Sequence, residues 1–172
     1  SPEGVSATNL LDVASRDGEE VTGYAVPGDY ALVFKANSVF RLTHDKNGLP
    51  ILRQESNSVG AVGDLPIATF EGRTYFLHRS GLFVYSDLVA RLPKAYLEDA
   101  FMWVEPEERR VMLSVVAGPG DANNEVWAIH VDSGALTRIP FRVDSALRYK
   151  GETYVGYRQD DGTTGLGLLW AG

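Results

Sequence analysis

The feature that most constrains this chain is an aromatic β-hairpin that recurs about every 43 residues. Residues 30–43 read YALVFKANSVFRLT and residues 73–86 read RTYFLHRSGLFVYS. Each is two aromatic or β-branched runs around a short polar turn, the mark of a hairpin. In the second turn Gly81 can supply a positive φ; in the first, Asn37 tolerates the left-handed region better than most residues. The two hairpins align without a gap at an offset of 43, with Leu32 on Tyr75, Val33 on Phe76 and Phe40 on Phe83. Trp127 follows Phe83 by 44 residues and Trp170 follows Trp127 by 43. On the first strand of each hairpin, Val111 follows Tyr75 by 36 and Tyr154 follows Val111 by 43. The spacing predicts four hairpins, at about 30–43, 73–86, 110–131 and 153–170.

A short candidate strand precedes each hairpin: Thr22–Val26, Ile67–Phe70, Phe101–Val104 and Ala146–Tyr149. A weaker one follows the first three, at Ile51–Glu55, Val89–Leu92 and Leu136–Phe141. The unit is three or four antiparallel strands, the strand count and period of a propeller blade. One such sheet cannot hide both of its faces, whereas sheets stacked around an axis can. The expected fold is all-β, a single domain over 1–172 of propeller-type antiparallel repeats, with about four blades or as part of a larger propeller. The repeats fall at about 21–56, 64–93, 99–141 and 144–172, with 1–20 as an N-terminal strand or extension. The alternative is a β-sandwich of two packed sheets without radial symmetry. Asn9–Ala14 could supply the fourth strand that the last hairpin lacks. Helix signals are weak, the best being at most two turns within Ser86–Ala100, and residues 55–63 read as a loop.

Composition narrows the function classes. Hydrophobic residues make up 44% and charged residues 23%, enough for an ordinary globular core. With no cysteine there is no disulfide, thiolate metal site or cysteine nucleophile. A net charge of −7 without a basic run argues against specific nucleic-acid binding. The apolar runs are short, so no membrane span is expected. The start, Ser1-Pro2-Glu3-Gly4, lacks an initiator Met and suggests a piece of a longer polypeptide.

Several residue types in this sequence could bear chemistry. His44, His78 and His130 share no metal-ligand spacing and read as surface or edge histidines. Ser80-Gly81 and Ser133-Gly134 do not form a nucleophile elbow. Asp121-Ala122-Asn123-Asn124-Glu125 and Asp160-Asp161-Gly162 are rich in oxygen, but neither matches an EF-hand loop. Glu105, Glu107 and Glu108 beside Arg109 and Arg110 make a charged turn. Glycoside hydrolysis needs two carboxylates facing each other across a cleft, and neighbours in one turn diverge. Gly165-Leu166-Gly167 lies in a strand signal and not before a helix, so it is no phosphate loop. No catalytic residue, metal or cofactor is expected. Binding is expected at the long hairpin loops, with Asp121, Asn123, Asn124, Asp160 and Asp161 as candidates.

Three stretches resemble a known group. LVFKANSVFRLT at 32–43, RQESNSVGAVGDLPIATFEGRTYFLHRSGLFVYSD at 53–87 and MWVEPEERRVMLSVVAGPGDANNEVWAIHVDSGALTRIPF at 102–141 are similar to β-propeller segments of phage tail and virion proteins. The likeness covers roughly 21–141. It departs after Gly134, where Leu136 and Thr137 replace the usual Trp, and in the shortness of the chain. It implies a structural virion component of tail tube, nozzle or adaptor type, located in the tail and partnered by other tail subunits, with copies arranged in a homo-oligomeric ring. Two competing expectations are a carbohydrate- or receptor-binding propeller, with Tyr24, Trp103 or Trp170 exposed around a pocket, and a propeller enzyme of glycosidase or lyase type.

Overall fold

The computed structural model describes residues 12–13, 17–85, 87–92, 99–116, 125–139, 141–159 and 161–169. Fifteen strands make four antiparallel sheets, and the described residues contain no helix. Sheet one is β1 (Val21–Ala25), β2 (Ala31–Lys35), β3 (Val39–His44) and β4 (Pro50–Ser56). Sheet two is β5 (Ile67–Phe70), β6 (Arg73–His78), β7 (Gly81–Val84) and β8 (Asp87–Ala90). Sheet three is β9 (Phe101–Glu105), β10 (Arg110–Val115), β11 (Glu125–His130) and β12 (Leu136–Ile139). Sheet four has three strands, β13 (Val143–Tyr149), β14 (Glu152–Arg158) and β15 (Thr164–Leu168). Within every sheet the strands pair in chain order.

The strands anticipated from the hairpin period are all present. β8 takes the start of the segment with the best helix signal, and residues 93–98 of that segment lie outside the described residues. So do Asn9–Leu11 and Ala14, while Asp12 and Val13 belong to no strand, leaving β15 as the free edge of sheet four among the described residues.

Three apolar layers join the sheets in sequence order. Leu32, Phe34 and Val39 of sheet one meet Phe76 and Phe83 of sheet two. Tyr75, Leu77 and Leu82 from the other face of sheet two meet Val111, Leu113, Val115 and Ile129 of sheet three. Met112, Val126 and Ala128 from the far face of sheet three meet Val143 and Val155 of sheet four. Sheets two and three are therefore apolar on both faces, because period-two alternation gives each strand two sets of side chains and each set has a sheet to cover it. Each fully buried side chain of this size contributes roughly 1.5–3 kcal/mol.

Phe40, Phe83 and Trp127 occupy one structural position. Each lies on the third strand of its sheet, directly across from Val33, Phe76 and Leu113 respectively; Phe83 and Trp127 face the preceding sheet, and Phe40 is buried on the face of sheet one away from sheet two, beside Lys35. The anticipated match of Val111 to Tyr75 is off by one residue. Val111 points back toward sheet two, whereas Tyr75 points forward to sheet three. Side chains alternate with period two, so a slip of one residue exchanges the faces. Trp170 lies outside the described residues.

Two glycines are required by close approach. Gly81 sits at φ 143°, and a Cβ there would lie 2.1 Å from the Ala90 carbonyl oxygen. A Cβ on Gly60 would lie 1.9 Å from the Lys35 carbonyl oxygen, where the loop after sheet one crosses the β2–β3 turn and Ala61 N–H donates to that same oxygen at 3.0 Å. Asn37 is not among the residues with positive φ; the β2–β3 turn closes instead through Lys35 N–H donating to the Ser38 carbonyl at 2.9 Å.

Candidate functional site

In a meander, the turn from first to second strand and the turn from third to fourth strand share one end of the sheet. At this end lie Pro27–Asp29, Glu71–Gly72, Pro106–Arg109 and Lys150–Gly151, together with Tyr85 and the turn Val131–Gly134. Two of these turns are two-residue loops with positive φ at both positions, 48° and 76° at Glu71–Gly72 and 51° and 85° at Lys150–Gly151. That is the hairpin turn whose twist matches the strands it joins.

Ion pairs run from turn to turn along this end. Arg109 donates from Nη1 and Nη2 to Glu71 of sheet two at 2.5 and 2.8 Å, and from Nε and Nη2 to Asp132 at 2.7 Å each. Hydrogen bonds from this guanidinium hold both carboxyls below their usual range, and the two carboxylates raise Arg109 in turn. Arg73 Nη1 donates to the Val131 carbonyl at 2.9 Å, tying sheet two to sheet three again. Arg148 of sheet four donates to both carboxylate oxygens of Glu107, which is held below its usual range mainly by that bond. Between sheets three and four the buried Glu105 accepts from Trp103 Nε1 at 2.7 Å and from Thr153 Oγ1 at 2.8 Å. Bidentate guanidinium–carboxylate pairs fix orientation as well as adding energy.

The charged turn 105–110 thus disperses, as neighbours in one turn must. Glu105 turns inward, Glu107 toward sheet four, and Arg109 toward sheet two. Glu108 approaches Arg110 at 3.8 Å. No two of these carboxylates face each other across a cleft.

A cavity of about 540 Å³ opens at the same end. It is lined by Tyr30 of sheet one, Arg73, Thr74, Tyr85 and Asp87 of sheet two, and Asp132 of sheet three, among others. Tyr85 has φ 46°, a genuine outlier for a bulky side chain. Its N–H donates to the Thr74 carbonyl at 2.7 Å. Burial and a hydrogen bond to Glu55 push its hydroxyl up to about 12. Arg41 lies over the Tyr30 ring, 4.1 Å from its centroid.

No protein-family model matches the chain, and no curated protein matches it either.

Of the expected binding residues, Asp121, Asn123, Asn124 and Asp160 lie outside the described residues. Asp161 sits in the β14–β15 turn, where its carboxylate accepts the Thr163 N–H at 2.8 Å and is held low by that bond. Of the expected pocket aromatics, Tyr24 stands exposed on sheet one and outside the large cavity. Trp103 is packed between sheets three and four, stacked on Phe101 with 5.4 Å between ring centroids. His44 is exposed at the end of β3. His78 also ends its strand but is buried, with Nδ1 2.7 Å from Ser80 Oγ and its ring edge-on to Phe83. Burial holds its pKa below the ordinary value. Among the described residues no three His, Asp or Glu side chains gather as a metal site, and no helix is long and apolar enough to cross a membrane.

Tyr30, Tyr85 and the Arg109 clamp were not singled out from sequence. Arg109 stands 38 residues from Glu71 and 23 from Asp132, and only the stacking of the sheets makes them neighbours. The one local signal was the Glu71-Gly72 pair, which marks a tight turn with an outward carboxylate.

Proposed function

We propose that the four sheets are consecutive blades of a β-propeller, and that the chain is a non-enzymatic structural part of a phage tail or virion acting through subunit contacts. The observation that carries this reading is the stack itself. Four sheets repeat one strand plan, their apolar layers lie between successive sheets, and three turn-end carboxylates, Glu71, Glu105 and Glu107, are committed to cross-sheet pairs. Glu71 and Glu107 each hold a guanidinium, and Glu105 a hydroxyl, of the neighbouring sheet, while Asp132 braces Arg109 from within sheet three. Such a body works as a stiff wall. The likeness of 32–43, 53–87 and 102–141 to tail and virion propeller segments supplies the setting. Mass spectrometry of purified particles, with antibody labelling of their tails, tests it: the chain is expected there at a fixed copy number, and its absence overturns the reading.

A second reading, a carbohydrate- or receptor-binding propeller, is favoured by the 540 Å³ cleft and its two tyrosines. Pockets of roughly 300–1,000 Å³ suit small ligands. Saturation-transfer NMR with a panel of sugars at millimolar concentration tests it, and no transfer to any sugar rejects it.

A further inference from the structure

We infer that the cleft over β3 and β4 of sheet one is a binding site for a tetrahedral oxyanion, the phosphate or sulfate group of a small ligand, held between Arg41 and Arg53. Only sheet one and its contact with sheet two are needed, whatever assembly the chain joins. Arg41 of β3 pairs directly with Arg53 of β4. Arg41 also lies across from Leu32, which packs with Phe76 and Phe83 of sheet two. Both arginines therefore stand on the face of sheet one that turns toward sheet two. Directly opposed residues in an antiparallel pair hold their Cβ atoms roughly 4.5–5.5 Å apart, and like charges placed so repel. The two side chains line one cavity of about 290 Å³, together with Thr43, Ile51 and Glu55.

The chain leaves this pair without a counter-charge. It has 23 acidic residues against 16 lysines and arginines, and Arg109, Arg138 and Arg148 each hold a carboxylate. Among the described residues, neither the Arg41 nor the Arg53 guanidinium takes part in an ion pair or a hydrogen bond. Arg41 Nε is moreover buried without an acceptor, a costly state for a charged donor. Glu55 rims the same cavity, but its carboxylate accepts the Tyr85 hydroxyl of sheet two. Arg41 is meanwhile held in place over the Tyr30 ring, 4.1 Å from its centroid, so a ligand need not order it. A bound anion would relieve the repulsion and supply the missing acceptor at once.

The number of donors selects the anion. One planar guanidinium fork already satisfies the two oxygens of a carboxylate. Two forks meeting at one point call for a group with more oxygens and more charge, which phosphate and sulfate have. Tyr30, which carries Arg41 on its ring, also lines the 540 Å³ cavity. The two clefts adjoin there, leaving room for the rest of an esterified ligand.

Chemical-shift titration of the isotope-labelled chain, read at the arginine Nε–H resonances, is the test. Inorganic phosphate is added over the millimolar range with ionic strength held constant by chloride, because screening alone acts on exposed charges. The Arg41 and Arg53 resonances should move along one saturating curve. Sulfate should do the same, and acetate should not saturate. Arg53→Gln should weaken phosphate binding roughly tenfold to hundredfold, the range for a hydrogen bond to a charged group. Arg53 is exposed, and its loss removes a like-charge contact, so the Tm of this variant without phosphate should equal or exceed that of wild type. Arg79→Gln, at the exposed β6–β7 turn, should leave the phosphate curve unchanged. A non-saturating drift shared by Arg79 overturns the site, as does full phosphate affinity in Arg53→Gln. Acetate binding as tightly as phosphate overturns the ligand class. Glucose monophosphate separates the two sources of the group: tighter binding than inorganic phosphate assigns the site to a phosphorylated ligand, and exclusion of the ester assigns it to the free ion, each bearing out the oxyanion site.

Discussion

Sheets two and four are built from the same hairpin and differ in what lies beside them. In sheet two, Phe76 and Phe83 press on sheet one while Tyr75, Leu77 and Leu82 press on sheet three. In sheet four, Val143 and Val155 press on sheet three while Leu147, Leu166 and Leu168 face outward. Apolar content on a strand face thus does not by itself decide burial; position in the stack does. A leucine in sheet two contributes stability through water removed from both it and its neighbours. A leucine on the outer face of sheet four has that contribution in reserve for whatever covers it.

The contrast breaks most sharply under truncation. Phe76→Ala in sheet two should cost about 3–5 kcal/mol, a large share of the roughly 5–15 kcal/mol that holds an ordinary domain. Urea unfolding of the monomer reads this directly. If Phe76→Ala and Leu147→Ala cost the same, the distinction between interior and terminal sheets is wrong.

Gly81→Ala is the next largest. Its backbone strain alone costs about 1–3 kcal/mol, and the new Cβ has no room beside the Ala90 carbonyl. A lowered urea midpoint with an unchanged slope is expected.

The outer face should respond least in stability. Leu147→Lys and Leu166→Lys, measured on the monomer, should stay within about 0.5 kcal/mol. A loss of several kcal/mol would mean that sheet four is covered from within the chain.

Two titrations sharpen the picture at the turn end. Tyr85 ionises near pH 12 because burial and Glu55 favour its neutral form. A folded pKa above the ordinary value of about 10 adds stability that is full below that value and is lost as pH rises through 12. Absorbance at alkaline pH should lose its last-titrating tyrosine in Tyr85→Phe, and wild type should lose its advantage over that variant above the range. At the acid end, carboxyl NMR of Arg109→Ala should show Glu71 and Asp132 titrating higher than in wild type. Both carboxylates are solvent-exposed, so thermal stability should change little.

The sequence by itself determined the strands, their grouping into four units and the aromatic third-strand position shared by Phe40, Phe83 and Trp127. These are local matters: a hairpin announces itself through alternation and turn chemistry within about a dozen residues. It also determined that Gly81 needs an unusual backbone conformation. The one-residue slip at Val111 marks the limit of such reading, since a period-two pattern that is apolar on both faces carries no label for which face is which. Only the tertiary structure decided which side chains are covered, that His78 is buried while His44 is not, and that Arg109 clamps Glu71 to Asp132. Those outcomes depend on sheets meeting across dozens of residues, where no local spacing rule applies. The turn-end cleft between Tyr30, Tyr85 and Asp132 likewise exists only because three sheets bring their ends together.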